Sequence, residues 1–283
     1  MKSKLSTTNH CSDIVGLKYV YPVISRRTGG MSVGINFNTN NGCNWRCIYC
    51  QVPNLKFGAA PDIDFRLLEK ELRFFLDHIV IGNFYDRFEI EEKQRVIKDI
   101  AIAGNGEPTS LREFAGAVQM IGNIANEFGV FPKSDFVLIT NGSLLNKTRV
   151  QEGLRRLNQF GGEVWFKLDS ATGDGRRLIN NTGQSIDSAI RNMKLSAQLC
   201  QTKLQICLFS YDNQGLTFHE RIALIAVLKT LISTTDIKCI LLYSIARPSM
   251  QPESVKLESL PLDTINEFAE EIRALGFDVS VSV

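Results

Sequence analysis

Three cysteines fall within eight residues, in the run Cys43-Asn-Trp-Arg-Cys47-Ile-Tyr-Cys50. Gaps of three and two residues let one loop turn all three thiolates towards a common point. Thiolates are the protein ligands of iron–sulfur clusters, and four of them normally fill the four irons of a cubane. With three, one iron stays open to an outside ligand, which is a reactive arrangement. A structural zinc site needs four ligands, usually as two pairs. No second cysteine pair follows, and His78 and His219 lack partners at ligand spacing. Chance clustering of buried cysteines fits poorly with Asn44, Arg46 and Gln51, which make this a polar loop. The remaining cysteines, Cys11, Cys200, Cys207 and Cys239, are scattered. Cys207 and Cys239 fall inside apolar runs and read as small core residues, and Cys200 ends a helix. Their spacing gives little support to a second cluster.

A loop of this kind needs a scaffold, and the chain supplies a repeating one. Short, mainly apolar runs read as strands at residues 32–37, 99–103, 135–140, 164–169, 204–210, 237–243 and 278–283. Such runs suit parallel strands buried on both faces. Capping-box patterns mark helix starts at Ser110…Glu113, Thr148…Gln151, Thr217…Glu220 and Thr264…Glu267. Gly161-Gly162 and Gly276 are placed to stop helices. Strand and helix in alternation imply right-handed crossovers and one mainly parallel sheet. The fold class expected is α/β, a partial (β/α)6-type parallel barrel, organised as a polar arm over residues 1–30 and a single domain over residues 31–283. In such folds ligand sites form at the carboxyl ends of the strands.

Those ends carry polar residues. Gly104-Asn105-Gly106-Glu107 follows the second predicted strand and precedes a helix. Glycines there let backbone approach a ligand closely, though a plain turn feeding a helix has the same look. Thr140-Asn141-Gly142 closes the third strand, as a site or as a turn. Trp165, Lys167 and Asp169 alternate along the fourth and share one face, while Val164, Phe166 and Leu168 share the other, which should pack on helices. A Lys and an Asp facing a barrel lumen do not stay charged there unpaired. They form an ion pair, or one of them meets a ligand. Arg247-Pro248 lies just past the sixth strand, where an Arg suits a carboxylate or phosphate. Trp45 either shields the loop from solvent or packs it.

Composition limits the function classes. The 283 residues are 44% apolar and 22% charged, with 32 Lys and Arg against 30 Asp and Glu, a net charge of +2. That balance excludes a strongly basic nucleic-acid coater and an acidic disordered tail. No run reaches the ~20 apolar residues of a membrane helix. The polar N-terminus lacks a signal core, so the expected setting is cytoplasmic and reducing, where thiols serve as metal ligands or catalysts more often than as disulfides. The arm carries Lys2, Lys4, Lys18, Arg26 and Arg27 against Asp13 alone. It either steers an anionic ligand or stays wet. Residues 85–95 are dense in both charge signs and read as a solvated helix or loop.

The Cys-x3-Cys-x2-Cys run, with aromatic Tyr49 before its last cysteine, resembles the radical S-adenosylmethionine superfamily. The wider pattern is similar to the branch related to wyosine-base (tRNA-modifying) synthases and iron–sulfur oxidoreductases. It includes Pro22-Val-Ile-Ser25-Arg26-Arg27, Ser32-Val-Gly-Ile, Gly104-Asn-Gly-Glu107-Pro-Thr109, Thr140-Asn-Gly142-Ser143 and Lys167-Leu-Asp169. The similarity runs from residue 21 to residue 247. It implies that Cys43, Cys47 and Cys50 hold a 4Fe-4S cluster whose open iron binds S-adenosylmethionine, and that one electron cleaves the sulfonium to give a deoxyadenosyl radical. It implies an external one-electron reductant of flavodoxin or ferredoxin type. It also implies contacts to the cosubstrate from Tyr49, from Gly104, Asn105, Gly106 and Glu107 to the methionine ammonium, from Asn141 and Arg247 to carboxylate, and from Lys167 or Asp169 to ribose or carboxylate.

The chain also departs from these relatives. Wyosine-base synthases carry extra N-terminal cysteines, whereas only Cys11 precedes the motif here. A second cluster and pyruvate-handling chemistry are therefore not expected, nor is the flavodoxin domain of eukaryotic relatives. Three function classes follow. The first is a radical enzyme acting on RNA or a nucleotide, the second one acting on a small metabolite or peptide, and the third a non-catalytic iron–sulfur sensor or carrier. The third predicts a cluster without cosubstrate cleavage. The missing fourth thiol and the Gly-Asn-Gly-Glu element argue against it.

Overall fold

The structure, a computed structural model, describes residues 16–25 and 29–282. Cys11 and the Arg26-Arg27 pair lie outside the described residues. In chain order the strands are β1 (Val20–Ile24), β2 (Met31–Ile35), β3 (Gly42–Cys43), β4 (Lys56–Phe57), β5 (Ile97–Ile102), β6 (Asp135–Thr140), β7 (Glu163–Lys167), β8 (Gln201–Cys207), β9 (Phe209–Tyr211), β10 (Cys239–Tyr243), β11 (Leu257–Ser259) and β12 (Asp278–Ser282). Eight of them form one sheet in the order β1-β2-β5-β6-β7-β8-β10-β12. Every pairing from β2 to β12 is parallel. The helices α1 (Phe65–Val80), α2 (Phe84–Arg87), α3 (Phe114–Glu127), α4 (Thr148–Gln159), α5 (Gly173–Asn180), α6 (Ile186–Leu199), α7 (Phe218–Thr234) and α8 (Leu262–Arg273) lie in the crossovers. This is the expected mostly parallel α/β partial barrel, and all seven expected strands are present within a few residues.

The stretch read as a polar arm contributes a strand of its own. β1 pairs antiparallel with β2, because Val20 and Ile24 are apolar enough to be buried there. The carboxylate of Glu71 on α1 accepts from the backbone N–H groups of Lys18 (2.9 Å) and Tyr19 (2.7 Å), which fixes the strand's start. Residues 85–95 are not wholly solvated either, since Phe84, Phe88 and Ile90 anchor that charged stretch in the core.

The period-2 reading of β7 holds. Val164 and Phe166 sit in the core between sheet and helices. Trp165 faces the lumen with Ala101 and Val137. Below it Glu163 accepts from Trp165 Nε1 (2.6 Å) and pairs with Lys203 (2.6 Å), so an ion pair and an indole fill the amino end of the lumen. The open space is thereby left at the carboxyl end.

Helix starts were less faithful to their patterns. Thr217 caps α7 as expected, accepting from the Glu220 N–H. Ser110 does not cap α3, because its hydroxyl already donates to the Glu107 carbonyl (2.6 Å) and accepts from Ala60 N–H (2.8 Å). Thr148 is the first residue of α4, after Lys147. Thr264 lies inside α8, which starts after Pro261. Proline there presets the backbone and moves the boundary upstream.

Candidate active site

The cysteine loop runs from β3 across the carboxyl ends of the strands, held by bonds from both sides. Ile48 and Arg46 donate backbone N–H groups to the carbonyls of Ile179 (2.8 Å) and Asn180 (3.3 Å) at the end of α5. From the other side, Ser249 Oγ donates to the Ile48 carbonyl (2.6 Å) and Met250 N–H to the Cys50 carbonyl (2.9 Å). Gln251 Nε2 reaches the Val52 carbonyl (3.1 Å), and Arg46 forms a two-pronged pair with Glu253, each contact 2.7 Å. Trp45 is buried with the guanidinium of Arg176 over its ring at 5.4 Å. The indole therefore packs the loop while also lining the cavity beneath it.

Asparagines join this loop to the strand ends. Asn38 Nδ2 donates to the Gly42 carbonyl (2.8 Å) and more weakly to that of Glu107 (3.3 Å). Asn141 Nδ2 donates to Asn44 Oδ1 (2.9 Å), and Asn44 Nδ2 to Ser143 Oγ (2.7 Å). The glycines of the Gly104–Glu107 turn receive this loop. A Cβ on Gly106 would lie 2.0 Å from the Gly42 carbonyl oxygen, and one on Gly104 2.5 Å from Asn36 Oδ1. Gly104 also has φ +140°, a backbone conformation side chains rarely adopt. Their first physical role is thus to let the thiol loop sit against β5.

Glu107 is buried at the head of that turn. Its Oε1 accepts from Thr109 N–H (3.1 Å), Thr109 Oγ1 (2.6 Å) and Thr140 Oγ1 (2.6 Å), and its Oε2 from Asn141 N–H (2.7 Å). Burial pushes its carboxyl up, and these four bonds pull it back. A carboxylate has about four acceptor positions. Oε1 is saturated, so Oε2 is the atom left to meet a cation.

At the end of β7, Lys167 and Asp169 form the ion pair expected of charges in a lumen, with Nζ 3.8 Å from Oδ1. Lys167 also donates to Tyr243 OH (2.6 Å) and stands over the rings of Tyr49 (5.0 Å) and Tyr243 (5.2 Å). Burial alone would push its ammonium pKa down. The Asp169 carboxylate overrides that, and the net direction is up. Asp169 itself is saturated, with Tyr49 OH and Asn180 Nδ2 (2.9 Å) on Oδ2 and Cys207 N–H (3.1 Å) on Oδ1.

These groups surround a cavity of about 310 Å³. Cys43, Cys47 and Cys50 line one part of its wall. Tyr49, Gly104, Gly106, Glu107, Asn141, Lys167, Cys207, Tyr243 and Arg247 are among the residues that line the rest. Asn105 does not. It turns away to donate to Asn41 Oδ1 (2.8 Å) and braces the loop. Asp169 lies behind Tyr49 and Lys167, on the wall of a neighbouring cavity.

Residues 37–215 match the radical SAM superfamily. The chain belongs to that superfamily. Its fold is also similar to that of a radical SAM methyltransferase from Sphaerobacter thermophilus, with a TM-score of 0.59 at 15% identity, over 93% of this chain and 68% of that one. Among curated proteins it is 27% identical over 152 residues to a GTP 3',8-cyclase of Marinobacter nauticus, covering 53% of this chain and 37% of that protein. It is 28% identical over 166 residues to a protein named GTPase Obg in Brachyspira hyodysenteriae, covering 59% of this chain and 21% of that protein. The chain thus spans well under half the length of the curated relatives it matches.

The radical SAM motif can be tested against the donors present. Among the described residues no group of three His, Cys, Asp or Glu side chains is arranged to hold a single metal ion. The three thiols line one cavity, which suits a cluster whose thiolates bind different irons. All three are free thiols. Burial pushes Cys43 and Cys47 up to about 12, and Cys50 up as well. Three half-buried sulfurs are costly as bare thiolates and suited to a cationic metal core. The donor set fits a cluster.

Sequence reading missed Asn180, Arg176, Ser249 and Gln251. Only Asn180-Asn181 left a trace: Asn181 ends α5 in the left-handed region (φ 49°), a helix-stop position that Asn tolerates. Asn180 Nδ2 meanwhile lies 3.2 Å from Cys47 Sγ, which no spacing rule anticipates. Among the described residues no helix is long and apolar enough to cross a membrane.

Proposed function

We propose that this radical SAM protein uses Cys43, Cys47 and Cys50 to hold a 4Fe-4S cluster and bind S-adenosylmethionine beside it. The observation that carries the reading is that three half-buried thiols share one cavity with Glu107, Asn141, Lys167 and Arg247. When bound, the cluster supplies the electron, taken from an external flavodoxin or ferredoxin type reductant, that cleaves the cosubstrate to methionine and a deoxyadenosyl radical. The protein's own work is placement. Glu107 Oε2 accepts from the methionine ammonium, Asn141 and Arg247 take its carboxylate, and Tyr49 and Lys167 form the wall along the nucleoside. Asn105 and Asp169 act from behind that wall, and the Trp45–Arg176 stack keeps water from the thiol loop.

Glu107→Gln keeps the size of the group and removes its charge. Affinity for S-adenosylmethionine should fall about ten- to a hundredfold, the worth of a hydrogen bond to a charged group, while iron content stays normal. Calorimetry on the reconstituted variant checks this, and unchanged affinity would remove Glu107 from the site.

The substrate reading is RNA or a nucleotide, in a reducing, cytoplasmic setting. It is supported by the likeness to a curated GTP 3',8-cyclase. The test is anaerobic. Reconstituted protein, dithionite and S-adenosylmethionine should release 5'-deoxyadenosine, and Cys47→Ala should release none. Release that rises with added RNA or nucleoside triphosphate, and binding that weakens steeply with salt, support this class. Release stimulated only by a salt-insensitive small metabolite or peptide would move the substrate to the other class. A full cluster with a spectrum that S-adenosylmethionine leaves unchanged would make the protein a sensor or carrier.

A further inference from the structure

The three thiol sulfurs differ in what donates to them. Cys43 Sγ accepts from the backbone N–H of Trp45 at 3.5 Å, and Cys50 from the backbone of Val52. Cys47 Sγ accepts from a side chain, the Asn180 amide at 3.2 Å. That amide is fully buried, and its nitrogen also donates to Asp169 Oδ2 at 2.9 Å. Two acceptors on one side fix the amide's orientation. Flipped, its oxygen would face a sulfur and a carboxylate. The cost of holding it is visible at the other end, where the buried Asn180 Oδ1 has no hydrogen-bond partner. An orphaned buried carbonyl costs about 1–3 kcal/mol, so the side chain is not placed for stability alone.

Nor does the loop need this side chain for its position. Arg46 and Ile48 are tied to the end of α5 through backbone carbonyls, and Asn181 Nδ2 adds a bond to the Arg46 carbonyl (2.9 Å). What the amide changes is the electrostatic setting of one sulfur. It withdraws electron density from Cys47 and stands between that sulfur and the negative charge of Asp169. Hydrogen bonds to cluster sulfurs and partners of the ligands tune reduction potentials, and both effects here favour taking up an electron.

Resting on the cluster reading above, we infer that Asn180 is a positioning residue that raises the reduction potential of the cluster by donating to the Cys47 sulfur. It thereby eases the one-electron step from the external reductant. Asn180→Leu removes the donor at similar volume. Asn180→Asp replaces it with an acceptor.

The test is mediated potentiometry followed by electron paramagnetic resonance, on the full reconstituted chain. At a fixed potential near the wild-type midpoint, the ratio of reduced to oxidised cluster should fall about tenfold in Asn180→Leu, which for one electron corresponds to about 59 mV. It should fall further in Asn180→Asp, with iron content normal in both. Normal iron with unmoved midpoints would overturn the inference and leave the proposed function standing. Wild-type protein that takes up no iron would overturn the cluster reading and this inference with it. If the variants do not assemble, wild-type protein with ¹⁵N in its asparagine side-chain amides decides. Electron–nuclear double resonance of the reduced cluster should then show a ¹⁵N coupling, and its absence would overturn the assignment.

Discussion

Cys47→Ala, reconstituted with iron and sulfide under anaerobic conditions, should hold well below one iron per chain, against about four for the wild type. Cys43→Ala and Cys50→Ala should behave alike. The size of the effect follows from the loop having three thiols and no reserve within it. The other described cysteines are Cys200, Cys207 and Cys239. Cys200 is buried with its thiol donating to the Gly162 carbonyl (3.2 Å). Cys239 begins β10, at the amino end of the lumen. Cys207 also lines the cavity, but it is buried and packed with Ile48 and Phe209, and lies outside the cysteine loop. Cys207→Ala and Cys239→Ala should therefore keep full iron content and the cluster's visible absorption. Near-normal iron in Cys47→Ala would refute the ligand assignment.

Gly106→Ala should cost nearly as much, although it removes no ligand. The added Cβ would lie 2.0 Å from the Gly42 carbonyl oxygen and 2.7 Å from Asn38 Nδ2. Neither neighbour is the free end of a flexible chain. One is backbone, and the two are bonded to each other at 2.8 Å. Relief therefore requires the loop to move away from β5, and Cys43 follows Gly42 directly. Overpacking of this kind costs about 1–3 kcal/mol, occasionally more. Urea denaturation of the iron-free protein should show that loss, and reconstitution should show iron uptake falling with it. Gly183→Ala is the control, because nothing lies within 4 Å of its Cβ position. Equal stability and equal iron in the two variants would mean that the turn yields, and that Gly106 has another role.

Much of this was legible locally. The cysteine run is visible because all three ligands lie in one loop, and the strands are visible because each is a short apolar run. Val164 and Phe166 against Trp165 and Lys167 could be sorted by alternation alone. What was not legible acts over distance. Ser249 meets Ile48, and Asn180 meets Cys47, only after the barrel has formed. A serine or an asparagine in a loop carries no mark of its partner. Ser110 and Thr264 failed as caps for related reasons, a tertiary bond in one case and a proline in the other. The glycines of the Gly104–Glu107 turn were legible as a close approach. What approaches first is this protein's own loop.

The clamp on the cysteine loop has a consequence for how the protein is made. The loop is synthesised early, but half of what holds it, Ser249 to Glu253, emerges about two hundred residues later. At ribosomal rates of about 5–20 residues per second, the three thiols spend roughly ten to forty seconds without that half of their frame. Throughout that interval they are cysteines on an unfinished chain, open to oxidation or to stray metals. The finished site exists only once β10 and the segment after it have docked. Under the proposed function, a cluster that needs the completed frame would have to be loaded after that segment has been made.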